Sequence, residues 1–319
     1  MARPTPRSRK PSARAKKKAP AAAPAGVRRA PRALDVVTEA GALAARMMAA
    51  RARGLTVGFV PTMGALHAGH GALLDEARRR SDILVASIFV NPKQFGPQED
   101  LARYPRRPEE DRALCAACGV DVIFAPAVDE MYAPGFDTAV KAGALAAELE
   151  GAARPGHFDG VLTVVLTLFS IVQPHFAVFG EKDYQQLTLI RRMVRDFKLT
   201  VEIVPMPVIR DLDGLALSSR NAMLAPADRA RATCLYRALM AAQDEAQRGV
   251  LEAARFVSAA RAVLDATPGA DVQYVEVRDP RTLAPVDRLQ GQARLLLAVR
   301  LGGVRLLDNG PLFEGLRYR

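Results

Sequence analysis

The chain has 319 residues, half apolar and a quarter charged, which is enough to bury a full core and ordinary for a globular protein. Its net charge of +11 suggests a nucleic-acid partner until the charge is located: eleven basic residues and no acidic one fall within residues 1–34. The remainder carries 34 basic and 34 acidic groups, so the folded part is neutral and a nucleic-acid-binding body is the poorest reading.

Residues 1–33, rich in Pro, Ala, Lys and Arg, have almost nothing to bury and are expected to form a disordered basic extension. A solvated extension, a nucleic-acid or membrane-surface arm and a transit peptide compete there. The prolines spoil a long amphipathic helix, and composition favours the first. Cys115, Cys118 and Cys234 are too few for a disulfide framework. Cys115-Ala-Ala-Cys118 lacks a second pair and reads as buried small side chains in a helix ending at Gly119. Reduced thiols and the lack of an export signal point to the cytoplasm.

From Leu34 onward helix and strand alternate. Asp35 to Arg53 reads as a helix, and Leu55 to Val60 as a buried strand closed by Pro61. A helix from Gly71 to Arg80 follows, so Met63 to His70 forms the loop and first helical turn of a β-loop-α unit. Free N–H groups and the helix dipole favour an anion there. His67 and His70, three apart, can share a face and donate to phosphate oxygens.

Ile83 to Val90 reads as a second strand, ending in the polar loop Asn91-Pro-Lys-Gln-Phe95. A helix near Pro108–Cys118 leads to a strand at Val120–Ala125. The apolar run 161–172 is too short for a membrane span and reads as a buried helix. His175 to Phe179 is a strand, Gly180 to Asp183 a turn, Tyr184 to Phe197 a helix, and Val201 to Ile209 a strand interrupted by prolines. Strands separated by helix-length segments imply a right-handed βαβ sheet.

The character changes near 207–210. A polar loop carries Leu217-Ser-Ser-Arg220, two helices follow at about 226–248 and 251–266, and strands are expected at 272–278, 294–301 and 303–308. The division expected is a basic extension over 1–33, a parallel-sheet domain over 34–208 and a small α+β domain over 209–319.

Four polar clusters fall where connecting loops should be: Met63–His70, Asn91–Gln94, Gly180–Gln186 and Leu217–Arg220. Each alone has a bland reading. His-x-Gly-His can be a helix cap, Lys182 beside Asp183 a surface ion pair, and Ser218-Ser219-Arg220 a cap followed by an exposed cation. Together they suggest a polyphosphate site. Lys182 supplies a point charge and Arg220 a two-toothed fork, with hydroxyls from Ser218 and Ser219. Gln94 and Gln186 suit a substrate hydroxyl or carboxylate. His157 could line the site or be structural. Walker, Gly-x-Gly-x-x-Gly and Gly-x-Ser-x-Gly motifs are absent, so the chemistry suggested is electrostatic, without a covalent nucleophile.

The motifs PTMGALHAGH (61–70), SIFVNPKQF (87–95), YPR (104–106), RPGHF (154–158), FGEKDYQQL (179–187) and LSSRN (217–221) run in an order that resembles the pantothenate synthetase (pantoate–β-alanine ligase) family from residue 34 to 312. The resemblance implies a Rossmann-like α/β nucleotidyltransferase domain with a smaller C-terminal α+β lid, and a homodimer. It implies that pantoate attacks the α-phosphate of ATP, and that β-alanine then attacks the pantoyl adenylate, giving pantothenate and AMP. On that basis Met63, Gly64, Ala65, Leu66, His67, Ala68, Gly69 and His70 bind ATP. Gly180, Glu181, Lys182, Asp183, Ile209, Leu217, Ser218, Ser219 and Arg220 complete the nucleotide site. His70, as proton donor, acts with His67, Lys182 and Arg220 in catalysis. Gln94 and Gln186 hold pantoate, and Gln94 also meets β-alanine. Mg2+ accompanies ATP, with Asp111 as its candidate ligand, and the lid closes over the adenylate. One departure stands out: Lys93 occupies a position where family members commonly carry Met.

An alternative keeps the fold and changes the acceptor, joining a phosphorylated substrate to a nucleotide.

Overall fold

The computed structural model describes residues 34–97 and 100–313, so the basic extension lies outside the described residues. The chain runs β1 (Asp35–Val37), α1 (Ala40–Ala52), β2 (Val57–Thr62), α2 (Ala68–Arg80), β3 (Ile83–Ile88), α3 (Pro108–Ala117), β4 (Val122–Phe124), α4 (Val128–Met131) and α5 (Glu150–Ala153). It continues with α6 (His157–Val172), β5 (Phe176–Gly180), α7 (Tyr184–Asp196) and β6 (Glu202–Met206). The last part holds α8 (Pro226–Arg231), α9 (Cys234–Gln247), α10 (Ala253–Asp265), β7 (Asp271–Arg278), β8 (Gln292–Leu301) and β9 (Val304–Phe313).

Six parallel strands form one sheet in the order β1-β4-β3-β2-β5-β6. Alternation along β2 explains why both faces are covered. Val57 and Phe59 join Leu43 and Met47 of α1 and Val161, Val165 and Phe169 of α6 in one apolar layer. Val60 joins Leu74 and Ala77 of α2 in the other. Phe59 is fully buried, and removing such a side chain from water contributes about 1.5–3 kcal/mol. Strand order runs outward from β2 through β3 and β4 on one side, and through β5 and β6 on the other. The reversal between β2 and β5 opens a crevice at the strands' carboxyl ends, where open α/β sheets place ligands.

The three antiparallel strands β7-β8-β9 make a separate sheet. Leu295, Leu297 and Val299 of β8 pack on Leu235, Leu239, Phe256 and Leu264 from α9 and α10. Leu296, on the opposite face of β8, joins the core of the parallel-sheet part. The architecture is thus α/β with a small C-terminal α+β part, as the sequence implies.

Several elements differ from expectation. Asp35–Val37 is a strand paired with β4, and α1 begins only at Ala40. The helix expected over 226–248 is two helices, and the last strand extends to Phe313. His157 is the first residue of α6. The apolar run 161–172 lies inside that helix, and no helix among the described residues is long and apolar enough to cross a membrane. Cys115 is buried in α3 and Cys118 caps it; burial pushes their thiols up to about 12 and about 11.

Candidate active site

The loop after β2 turns through two left-handed residues, Gly64 at φ 82° and Ala65 at φ 50°. Only glycine fits the first of these. A Cβ on Gly64 would stand 2.9 Å from Asp111 Oδ2 and 3.1 Å from Ile88 Cγ2. Asp111, buried on α3, accepts hydrogen bonds from Ala65 N at 2.9 Å and Leu66 N at 2.6 Å. Burial pushes its carboxyl pKa up while these backbone donors oppose the shift. Asp111 does not line the cleft; in this structure it anchors the loop. No group of three or more His, Cys, Asp or Glu side chains among the described residues could hold a metal.

His67 caps α2 with extended backbone, whereas its spacing from His70 suggests a place inside the first turn. Its Nδ1 accepts from Gly69 N at 3.1 Å, and His70 Nδ1 accepts from His67 N at 3.3 Å. This reciprocal cap uses Nδ1 of both rings as an acceptor, so each neutral imidazole carries its proton on Nε2. The ring centroids lie 4.1 Å apart. Burial, then the charge of Lys182, lowers His67 to about 4. Burial, then His67, lowers His70 to about 3, with Lys182 adding to the fall and Asp183 opposing it. The helix cap and the pair expected to face phosphate are therefore the same structure.

A cavity of about 250 Å³ lies over this pair. Met63, Gly69, Gly180, Lys182, Asp183, Gln186, Ile209, Leu217, Ser218, Ser219, Arg220 and Gln94 line it with the two histidines. Gly64, Ala65, Leu66, Ala68 and Glu181 do not line it. Lys182 Nζ lies 3.7 Å from an Asp183 carboxylate oxygen. Burial pushes the Asp183 carboxyl up, but the charges of Lys182, Arg220, His157 and Arg154 outweigh it and hold the group below the usual carboxylate range. Ser218 Oγ accepts from Arg220 N at 3.3 Å, and Ser219 Oγ donates to Ala65 O at 3.2 Å, tying this turn to the β2 loop.

Gln94 is held from every side. Its Oε1 accepts from Asn91 Nδ2 at 3.0 Å, and Asn91 Oδ1 accepts from Tyr132 Oη at 2.6 Å. Its Nε2 lies 3.2 Å from Met63 Sδ. Its carbonyl pairs with His157 Nδ1 at 2.8 Å and accepts from Arg154 Nη2 at 3.3 Å. His157 thus both lines the cleft and supports Gln94. Lys93 does not line the cavity; its Nζ lies 5.0 Å from the Tyr132 ring centroid and 4.9 Å from that of Phe136.

Sequence reasoning assigns no role to Arg154, Asn91, Tyr132 or Asn309. The first two fall inside quoted motifs, whereas Tyr132 and Asn309 carry no local signal. Asn309, from β9, donates to Glu181 O at 2.9 Å and Lys182 O at 2.8 Å. Arg294, on the adjacent strand β8, bonds Asn309 Oδ1, pairs with Glu181 at 2.8 Å and stacks 3.9 Å over the Tyr184 ring. The lysine turn is thereby held by the C-terminal sheet.

The arrangement can receive a polyphosphate between two Nε2–H donors, a lysine and an arginine, beside two glutamine amides suited to a small polar acid. A family model described as pantoate-beta-alanine ligase matches residues 35–311. The chain is 51% identical over 285 residues to the pantothenate synthetase of Anaeromyxobacter dehalogenans, covering 87% of this chain and 98% of that one. It is 51% identical over 260 residues to that of Trichlorobacter lovleyi, covering 82% and 92%. The crystal structure of pantothenate synthetase from Thermus thermophilus is similar at a TM-score of 0.83 and 49% identity, over 88% of this chain and 99% of that chain. The Francisella tularensis pantoate-beta-alanine ligase, solved with β-γ ATP and β-alanine, is similar at a TM-score of 0.74 and 33% identity, over 89% and 99%.

Proposed function

The chain belongs to the pantoate–β-alanine ligase family, and on that footing we propose that it condenses pantoate with β-alanine, using ATP and passing through a pantoyl adenylate. The observation that carries the reading is the convergence of His67, His70, Lys182, Ser218 and Arg220 with Gln94 and Gln186 around one cavity at the strand-order reversal.

Attack of a carboxylate on the α-phosphate brings two anions together. Positive charge and N–H donors fixed beforehand offset that repulsion and stabilise the spreading charge. His67 and His70 are neutral, so they serve by donating Nε2–H, and a bound triphosphate raises their affinity for a proton. In this reading Lys182 and Arg220 take the phosphates, and the Gln94 and Gln186 amides orient pantoate so that its carboxylate faces the α-phosphorus. The β-alanine amine then attacks the acyl carbon, and AMP leaves. The nucleotide stretches Met63–His70, Gly180–Asp183 and Leu217–Arg220, with Ile209, belong to the same assignment, as does a division near residue 208.

Magnesium enters as the companion of the triphosphate. Among the described residues Asp183 is the carboxylate on the cavity wall, and one carboxylate with several phosphate oxygens suits this ion. It would neutralise phosphate charge. A homodimer and a cytoplasmic setting follow from the family resemblance, and sedimentation of the full chain tests the first.

The deciding assay supplies ATP, pantoate and β-alanine and follows AMP. AMP formation should require both acids, and exchange of labelled pyrophosphate into ATP should require pantoate alone. Exchange driven by a phosphorylated acceptor, with none from pantoate, would transfer the protein to the alternative acceptor class.

A further inference from the structure

A second cavity, of about 400 Å³, lies against the C-terminal sheet and shares Arg154, Lys182 and Arg220 with the wall of the first. Its further cations are Arg103, Arg300 and Arg305. The acidic groups lining it are Glu150, Asp183 and Asp308. Two of these are already matched. Arg210 holds Asp308 through both carboxylate oxygens, at 2.6 and 2.9 Å, and Glu150 is bonded by Arg305 and by Tyr274 Oη. The chamber therefore keeps an excess of positive charge.

Two observations indicate that this charge awaits a ligand. Arg305 Nη2 is buried without a hydrogen-bond partner among the described residues, an arrangement that costs free energy unless something accepts from it. Arg103 and Arg300 are exposed and make no ion pair among the described residues.

Resting on the ligase reading proposed for the first cavity, we propose that this chamber binds inorganic pyrophosphate and takes the leaving group from the adenylation step. In that step a carboxylate oxygen bonds to the α-phosphorus and the bond from phosphorus to the α,β-bridging oxygen breaks. The electron pair stays on the pyrophosphate, and no proton need move. Lys182 and Arg220 border both cavities, so the departing anion passes between charges it already touches. The adenylate keeps its place over the histidines, and the cleft need not open to water between the two half-reactions.

The test is a calorimetric titration of inorganic pyrophosphate into the full chain saturated with an ATP analogue whose α,β-bridge is methylene. That analogue fills the triphosphate positions of the first cavity and cannot react. One pyrophosphate per chain should still bind. Arg300→Ala and Arg103→Ala, both at exposed side chains, should each weaken that binding about tenfold, the loss expected for one charged donor. Absence of pyrophosphate binding to the analogue-saturated protein overturns the proposal, and so does unchanged affinity in both variants. The titration needs no turnover. A failed pantoate-dependent exchange would therefore remove the enzymatic reading, while pyrophosphate binding alone decides for or against the chamber.

Discussion

His67 and His70 take a positive charge poorly because burial and the nearby Lys182 oppose it, which gives stability a definite pH dependence. In the unfolded chain these groups titrate near 6.5; in the folded protein they titrate at about 4 and about 3. Between those values the unfolded state binds more protons, so stability is complete above pH 6.5 and falls steadily as pH drops toward 4. Urea midpoints should therefore decline across that window, and His70→Gln should flatten the decline. An equal slope in the variant would show that other groups set it. Asp111 makes a second case. Asp111→Ala leaves the Ala65 and Leu66 N–H groups without acceptors, which should cost about 2 kcal/mol or more in urea unfolding. The KM for ATP should rise with it, because the loop carries His67. The two histidines, Lys182 and the two glutamines were legible as residue types at loop positions. The use of Asp111 was not, since a carboxylate caught by backbone donors 46 and 45 residues away leaves no local pattern.

At the scale of elements, the parallel strands were readable because buried strands are nearly continuous apolar runs, as in Ile83–Ile88. The strand β1 escaped because three residues at a sheet edge, with Val36 half exposed, look like the start of the helix that follows. The packing of α6 on the Asn91–Phe95 loop was also hidden, although it positions Gln94. A Cβ on Gly160 would stand 2.2 Å from Lys93 O and 2.7 Å from Gln94 Cα. Glycine there lets the helix approach the loop and lets Gly160 O accept from Asn91 Nδ2 at 3.1 Å. Gly160→Ala should cost about 1–3 kcal/mol by overpacking and push Gln94 out of place. Steady-state kinetics should show a raised KM for pantoate with that for ATP nearly unchanged. An equal rise in both would point to general loosening of the fold.

Across the whole molecule, the C-terminal sheet is tied to the parallel-sheet part by polar groups at two places, the turn that carries Lys182 and the segment around α5. Asn309 and Arg294 hold Glu181 and Lys182, while Arg278 pairs with Glu148 and Tyr274 donates to Glu150. Such ties could not be read from the sequence, because each joins residues more than a hundred positions apart that acquire meaning only once both sheets are folded. They give the expected lid a physical latch. With Asn309 in place, bringing the C-terminal part onto the site also fixes the backbone that carries Lys182. Asn309→Ala removes two donors to that backbone and the acceptor for Arg294, a change worth about 1–3 kcal/mol. The variant should therefore populate a more open form, seen as a larger radius of gyration by small-angle scattering, and should lose turnover more than ATP affinity. An unreactive acyl-adenylate analogue, by adding contacts to both parts, should restore the compact form. Identical scattering from wild type and variant, with and without the analogue, would leave Asn309 as a local support for the turn and remove its role in closure.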